Sequence, residues 1–512
     1  MRSKNSIKNA IIAAIMYIVT ILIGFIAQKI FIETLGTEYL GINGLFTNII
    51  SMLSIIELGL GSAIIYHLYK PIADNDKAKV KSIMRFYKNG YRIIAIFIGI
   101  LGLLIVPFLH IIVGEVSITE SIALIYILFL IDVIASYLLS YKRSILYANQ
   151  KTYIVNLIHM GYLLIMNIAQ ILVLVKTQDY ILYLWIKIIC RIIENTVITL
   201  VANKMYAYIT DKNVEKLDAE TKKSIFTNIK GLVYHKMAGF IVLGSDNIII
   251  SLFLGIRTVG LYSNYYLIIQ ALNNLFLQVF NSITASVGNL LVENDKNKSY
   301  KTYKNMLFLN SWIFAFVATG ILCIIEPFIT VWIGSQYILP FGVLITLVIN
   351  FYLQGMRRTI STFKEAAGIF YKDRYMPILE SLINIIASII FVQIYGLAGV
   401  FIGTIVSTFV LFFYGYPKYT YKPLFQRTYI QYLKDYLPYI VVAIVSTVIT
   451  YFVIYNINLE NMYLQILVNI LIICVIPNLI HLIAFCKSEE LKFYKEIIKQ
   501  FINKKRSKRW TN

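Results

Sequence analysis

The sequence predicts an all-α polytopic membrane protein of about 14 transmembrane helices, arranged as two parallel six-helix lobes plus two C-terminal helices. Three observations lead there. The 512 residues are 59% hydrophobic and only 14% charged, with a mean hydropathy of +0.72, far outside the range of a soluble globular chain of this length. Windows of about 19 residues pick out fourteen apolar segments, centred near residues 21, 55, 103, 131, 164, 191, 242, 275, 319, 347, 386, 407, 447 and 474. Landmarks in the loops recur at a nearly constant offset close to 220 residues.

The first segment follows "MRSKNSIKN", is too long for a signal-peptide core and lacks a small-residue cleavage site, so it is expected to be retained. Orientation follows from the cations. The two termini and the connections after the even-numbered segments hold 42 of the 47 Lys and Arg residues, which places both termini in the cytoplasm. The net charge of +21 is thus a topology signal, and no nucleic-acid partner is expected because no soluble domain is large enough to hold one. Cys190, Cys323, Cys474 and Cys486 lie in or at the ends of apolar segments without paired spacing, so neither a disulfide nor a metal site is expected. Abundant Ile, Lys, Asn and Tyr suggest an AT-rich coding sequence and so point to a low-GC bacterium, with the chain in its cytoplasmic membrane.

The offset marks a duplication. "LGTEYLG" from Leu35 to Gly41 answers "LGIRTVG" from Leu254 to Gly260, and "PFLHIIVG" from Pro107 answers "PFITVWIG" from Pro327. Lys142-Arg143 after the fourth segment answers Arg357-Arg358 after the tenth. Six segments is an even number, so both halves enter the membrane in the same direction. That is the parallel repeat of many secondary transporters, in which the substrate site lies between the halves near mid-membrane. The expected divisions are a lobe over 1–215, a second over 216–420, two extra helices over 421–486 and a basic cytoplasmic tail from 487.

The sixth segment, "LYLWIKIICRIIENTVITL", keeps Lys187, Arg191 and Glu194 on one helical face. Two cations facing lipid near the bilayer centre would cost about 5 to 7 kcal/mol, so this stripe is expected to face something polar. At 1.5 Å per residue from the outer side, Arg191 sits about 15 Å deep, near the midplane. Lys187 and Arg191 are therefore candidate ligands for an anionic group such as a diphosphate, which guanidinium binds bidentately. The alternative is a structural Arg191–Glu194 pair one turn apart, or an interlobe bridge.

Lys29, Glu57, Asp132, His159, Asp246, Glu326 and Glu380 also fall within apolar segments, where ionisable groups are ion sites or proton relays by default. Asp246, in "GSDNIIIS", Glu57, in "IIELGLGSA", and Asp132 are the candidate ion-coupling carboxylates. Glu57 is flanked by small residues, which equally suits close helix packing. Lys29 is either a substrate-binding cavity residue or a snorkelling cation. Glu380 and His159 lie near the cytoplasmic ends, where a solvated position is expected. The eighth segment carries Asn264, Gln270, Asn273, Asn274, Gln278, Asn281 and Ser282, and of these Asn273, Asn274 and Gln278 are candidate sugar contacts, with interhelical bonding as the alternative. In the tail, Leu491, Tyr494, Ile498 and Phe501 at helical spacing among cations suggest a helix on the anionic inner leaflet, or else a solvated basic tail.

No Gly-Lys pair occurs, so there is no P-loop, and H-E-x-x-H, C-x-x-C and G-x-S-x-G are absent as well. The outer loops are also too short for the domain that glycosyl transfer would need. No catalytic residue, cofactor or metal is expected, and the chain reads as a non-enzyme.

The runs "FIETLGTEYLGINGLFTNIISMLSIIELGLGSAIIYHLYKPIADND" and "GSDNIIISLFLGIRTVGLYSNYYLI" resemble the Wzx-type polysaccharide repeat-unit flippases of the multidrug/oligosaccharidyl-lipid/polysaccharide exporter superfamily. The resemblance covers roughly residues 1–420. It implies two six-helix lobes around a central cavity and alternating-access transport of an undecaprenyl-diphosphate-linked oligosaccharide to the outer leaflet. Partners implied are that lipid-linked sugar, membrane lipids, an H⁺ or Na⁺ counter-ion, and the glycosyltransferases and polymerase of the same pathway. The related lipid II flippases carry arginines in their first two helices, where this chain has only Lys29 and Glu57, although fourteen helices suit them too. A multidrug exporter of the same superfamily and a membrane enzyme of polysaccharide assembly are the other readings.

Overall fold

The computed structural model describes residues 2–57, 60–211, 214–293, 295–369, 372–457 and 459–509, with side chains outside 2–11, 13–14, 55–56, 60, 62–63, 139, 227–243, 285 and 501–509. It is all-helical, with no strand among the described residues. The order is α1 (Arg2–Leu35), α2 (Thr37–Leu53), α3 (Leu60–Ala73), α4 (Lys77–Ile105), α5 (Leu109–Val113), α6 (Ile122–Ser140), α7 (Arg143–Ala148), α8 (Thr152–Thr177), α9 (Tyr180–Met205), α10 (Ala219–Leu254) and α11 (Ile256–Val292). It continues with α12 (Lys296–Trp332), α13 (Phe341–Ala366), α14 (Met376–Tyr395), α15 (Leu397–Val410), α16 (Lys422–Phe425), α17 (Tyr429–Tyr455), α18 (Met462–Ala484) and α19 (Glu489–Arg509).

Nine helices among the described residues are long and apolar enough to cross a membrane, which makes this a multi-pass membrane protein. α9 is as long but is kept out of that class by Lys187, Arg191 and Glu194. The second apolar segment, expected as one helix, is broken: α2 ends in a 3-10 turn over Ser54–Glu57 and α3 begins at Leu60. The twelfth continues past α15 in π-helical turns to Tyr421.

Helix starts follow their caps. Asp76, Asp179, Asp218 and Asp295 each accept a main-chain N–H of the first turn, as their short acidic side chains are suited to do. The repeat landmarks are backbone devices. Gly36 and Gly255 stand at φ +90° and +82°, and Gly114 and Gly334 at +72° and +113°, a region where a side chain is strained. Both pairs sit at matching ends of the duplicated segments, which is why these glycines recur.

The chain forms two compact units, Met1–Ser263 and Asn264–Asn512. The first reaches beyond residue 215, where the sequence suggested a lobe boundary, because α10 packs on α2, α3 and α5. Within this unit the first turns of α2 and α11 meet reciprocally. A Cβ on Gly41 would lie 2.1 Å from the Ile256 carbonyl oxygen, and one on Gly260 would lie 2.1 Å from that of Thr37. Two copies of one motif thus pack through each other's glycines.

The linker leading to α10 is fastened to α4. Lys81 pairs with Asp211 at 3.1 Å, Arg85 donates to the Val214 carbonyl at 3.0 Å, Ser82 to that of Glu215 at 2.9 Å, and Lys79 pairs with Asp218 at 2.8 Å. The Lys79 ammonium and then the Thr221 amide hold the Asp218 carboxyl well below the usual carboxylate range. A depressed pKa gives stabilisation that is present above the ordinary aspartate range and is lost as pH falls through the lowered value. Amide-exchange protection of the first turn of α10 is therefore expected to hold from neutral pH into the ordinary aspartate range and to fall only below it. In Asp218→Asn it is expected to be lower and flat with pH.

In the second unit, aromatic rings fill the base. Tyr303, Tyr421 and Tyr432 are fully buried, and Tyr303 packs against Phe363 and Phe425 at centroid distances of 5.6 and 4.8 Å. Among them Asp435 is buried and accepts from the Tyr300 hydroxyl at 2.9 Å, Tyr421 at 2.6 Å and Gln431 at 3.1 Å, with Lys304 at 3.3 Å. Removing one member of such a buried pair costs about 3–5 kcal/mol. Asp435→Ala is therefore expected to lower the thermal midpoint in detergent by several degrees, whereas Lys298→Ala, at an exposed pair, should leave it unchanged.

Candidate functional site

The best-formed polar site lies in the first unit. α6, α8 and α9 pack side by side, and α9 turns Lys187, Arg191, Glu194 and Asn195 toward the other two. The stripe does meet polar partners. Lys187 Nζ stands 3.3 Å from Asp132 Oδ2, and Arg191 Nε 3.4 Å from Asp132 Oδ1. Arg191 Nη1 reaches Glu194 Oε2 at 3.3 Å. The Glu194 side chain is wholly buried, and its other oxygen takes Arg143 Nη2 at 3.0 Å and His159 Nδ1 at 2.8 Å. Asn195 Oδ1 accepts a further bond from Arg143 at 2.7 Å, while its amide donates to the carbonyls of Ala135 and Ser136. Arg191 and Lys187 also lie over the rings of Tyr162 and Phe129, at 4.8 and 4.7 Å.

In front of this network is a cavity of about 490 Å³ lined by Glu57, Tyr87, Tyr91, Arg143, Arg191, Ser136 and Ser140, among others. Glu57 reaches it because the 3-10 turn ends there. Tyr91 donates to Glu57 and Tyr87 to Tyr91, so the carboxylate is held by a tyrosine relay. Both arginines leave N–H groups uncommitted to Glu194. Arg191 uses only Nε and Nη1, and Arg143 Nε has no hydrogen-bond partner among the described residues. The arrangement is a pair of guanidiniums, fixed on one buried carboxylate, at the edge of a polar cavity.

Of the residues expected from the sequence, Arg191 and Glu57 share this cavity, and Lys187 and Asp132 stand in the network behind it. The Arg191–Glu194 pair is present, so the structural reading of the stripe holds alongside its access to the cavity. His159, expected near solvent, is bonded to Glu194 and stacked on Tyr162. Glu380, also expected in solvent, is instead buried in the second unit and paired with Arg357 at 2.6 Å, because the tenth segment's Arg357 requires a counter-charge there. Lys29 lies on α1, accessible and 3.9 Å from Glu33. Asp246 is buried on α10, which packs against α2 and the 3-10 turn, and its Oδ1 has no hydrogen-bond partner among the described residues. In the second unit Asn273 and Asn274 are half-buried and Gln278 is exposed.

Arg143 is the site residue that sequence reasoning passed over. It lies past the apolar part of the fourth segment and reads as a loop cation. α6 stops at Ser140, however, and the chain turns, so that Arg143 opens α7 beneath the membrane network. Its place in the repeated Lys142-Arg143 landmark was the available signal.

No protein-family model matches the sequence, and no curated protein matches it. Solved structures do. The chain is similar to the lipid II flippase MurJ in an inward closed conformation, with 19% identity, a TM-score of 0.64, and coverage of 96% of this chain and 100% of that one. It is also similar to an inward-facing multidrug resistance MATE family transporter of the MOP superfamily, with 16% identity, a TM-score of 0.57 and coverage of 77% and 91%. A MOP superfamily transporter from Pyrococcus furiosus aligns with 16% identity, a TM-score of 0.53 and coverage of 80% and 93%. The chain therefore has the fold of the MOP superfamily transporters.

Proposed function

We propose that this protein flips undecaprenyl-diphosphate-linked oligosaccharide repeat units across the bacterial cytoplasmic membrane by alternating access, for surface polysaccharide assembly. The observation that carries the reading is the Arg143–Glu194–Arg191 arrangement at the polar cavity. A diphosphate needs two or more cationic donors in fixed positions, and guanidinium supplies bidentate ones. Between substrates the carboxylates of Glu194 and Asp132 keep the cations paired, which avoids the cost of lone charges in the membrane. When the diphosphate enters, the two arginines that line the cavity are its cationic ligands while Glu194 continues to hold both of them.

For the sugars, Asn273, Asn274 and Gln278 of the second unit are the candidate contacts, and the lipid tail stays in the bilayer. Asp246, with its unpartnered oxygen, and Glu57 on its tyrosine relay are the candidate proton or sodium sites that couple transport. No covalent step is involved, so the protein acts as a transporter and not as an enzyme.

A lipid II flippase is the second reading, favoured by the full-length likeness to MurJ and by the shared diphosphate chemistry. A multidrug exporter fits less well, since arginines at the cavity repel cationic drugs. Proteoliposomes loaded on one side with a fluorescent undecaprenyl-diphosphate oligosaccharide test the proposal. Appearance of the label in the opposite leaflet supports it. Movement of lipid II but not of the oligosaccharide supports the second reading, and drug movement with neither lipid supports the exporter.

A further inference from the structure

The second unit holds an apolar groove of about 540 Å³ between α12, α18 and α19. Its floor is Phe308, Trp312 and Phe316 on α12, and its roof is Leu491, Tyr494 and Ile498 on α19. The two polar groups inside are already satisfied: Trp312 Nε1 donates to Asn478 Oδ1 at 2.8 Å, and Asn478 Nδ2 to the Cys474 carbonyl at 2.8 Å. Trp312 and Asn478 therefore ask for no water or polar ligand, and Lys495 is the charged group of the lining.

The roof is fixed. The Tyr494 hydroxyl donates to the Asn305 carbonyl at 3.1 Å and its ring stacks on Phe308, while Glu490 stands 3.6 Å from Lys304. The sequence suggested that Leu491, Tyr494, Ile498 and Phe501 would face the inner leaflet together. Leu491 is instead buried against the bundle and Tyr494 half-buried, Ile498 is 58% exposed, and the Phe501 side chain lies outside the described residues. α19 is thus an eave over a groove rather than a float on the surface.

The groove's position selects its occupant. Its α12 wall begins at Phe308, one turn past Lys304, next to the end of α12 that carries Lys296, Lys298, Lys301 and Lys304, the side of the membrane that basic residues mark as cytoplasmic. From Phe308 to Phe316 it runs about 12 Å toward the membrane interior at 1.5 Å per residue. The exposed Lys495 lines the groove, and the exposed Lys499 follows one turn on along α19. An apolar slot with one exposed cation, Lys495, in its lining matches a two-part ligand, a hydrocarbon chain with an anionic head.

We propose that this groove is a binding site for one anionic phospholipid of the inner leaflet, with an acyl chain along Phe308, Trp312 and Phe316 and the phosphate at Lys495. The site lies within the second unit and anchors α19 to the membrane. The test uses the full-length protein, washed in detergent and titrated with mixed micelles of phosphatidylglycerol or phosphatidylcholine, with bound lipid counted by native mass spectrometry. A lysine near an anionic surface is worth about 1 kcal/mol, so wild type is expected to retain one phosphatidylglycerol about fivefold more readily than phosphatidylcholine. Lys495→Glu is expected to remove that preference while phosphatidylcholine retention stays as in wild type. Ile313→Trp, which fills the groove wall, is expected to lose both lipids, with Gly161→Val in the other unit, where a Cβ meets nothing within 4 Å, as the unaffected reference. Equal retention of the two lipids by wild type overturns the proposal, and so does a phosphatidylglycerol preference that survives both groove substitutions.

Discussion

Glu194→Gln is expected to abolish transport and to destabilise the first unit by about 3–5 kcal/mol, the cost of leaving buried charges without their partner. The glutamine keeps the shape of the side chain, so packing is not the cause. It removes the single negative charge that Arg143 and Arg191 share with His159, at 3.0, 3.3 and 2.8 Å. Two guanidiniums held close together then repel, and Asp132 alone is left to neutralise Arg191 and Lys187. The double variant Glu194→Gln with Arg143→Gln is expected to recover part of the stability, because it removes the excess cation, while transport stays lost. Thermal midpoint and flipping rate measured on the same preparations separate the two effects. Equal stability of wild type and Glu194→Gln would show that Glu194 does not hold the cluster together.

Gly260→Val is expected to reduce transport at least tenfold, and Gly41→Val to do the same. Each would put a Cβ 2.1 Å from a backbone carbonyl oxygen of the other motif copy, and backbone cannot swing aside as a side chain tip can. Overpacking of this kind costs about 1–3 kcal/mol when the fold survives it, and the cost falls on the approach of α2 to α11. Gly161→Val is the control, since nothing lies within 4 Å of a Cβ there, and it should transport as wild type does. Because the two contacts are reciprocal, the double variant is expected to be little worse than either single one. Additive losses would mean that the two glycines act in separate contacts.

Much of this fold was legible. Long apolar segments and the 42 cations gathered in alternate connections announce a membrane bundle, because lipid tolerates few alternatives to a satisfied helix. The duplication was legible in its glycines, since only glycine serves at φ +90° and +82°, and those positions cannot drift. The charged stripe on α9 was legible for the opposite reason: charges in an apolar run are too costly to be accidental.

What stayed hidden depends on partners distant in sequence. That Glu194 holds Arg143 and His159 follows from how α7, α8 and α9 pack, and no local pattern encodes it. The break in the second segment is hidden by its continuous hydropathy. Position near a segment end suggests exposure for Glu380, and helical spacing among cations suggests a leaflet-facing Leu491; the structure buries both. Arg357 draws the first into the protein, and the aromatic face of α12 draws the second.

The most direct test of the central claim compares flipping of one oligosaccharide carried on a lipid diphosphate and on a lipid monophosphate, in wild type, Arg143→Gln and Arg191→Gln. If two guanidiniums on Glu194 read the diphosphate, wild type moves the diphosphate carrier faster by tenfold or more, and each variant slows that carrier while leaving the monophosphate rate nearly unchanged. Equal wild-type rates for the two carriers, or variants that slow both alike, would contradict the account and leave the cluster as a structural clasp between α6, α7, α8 and α9.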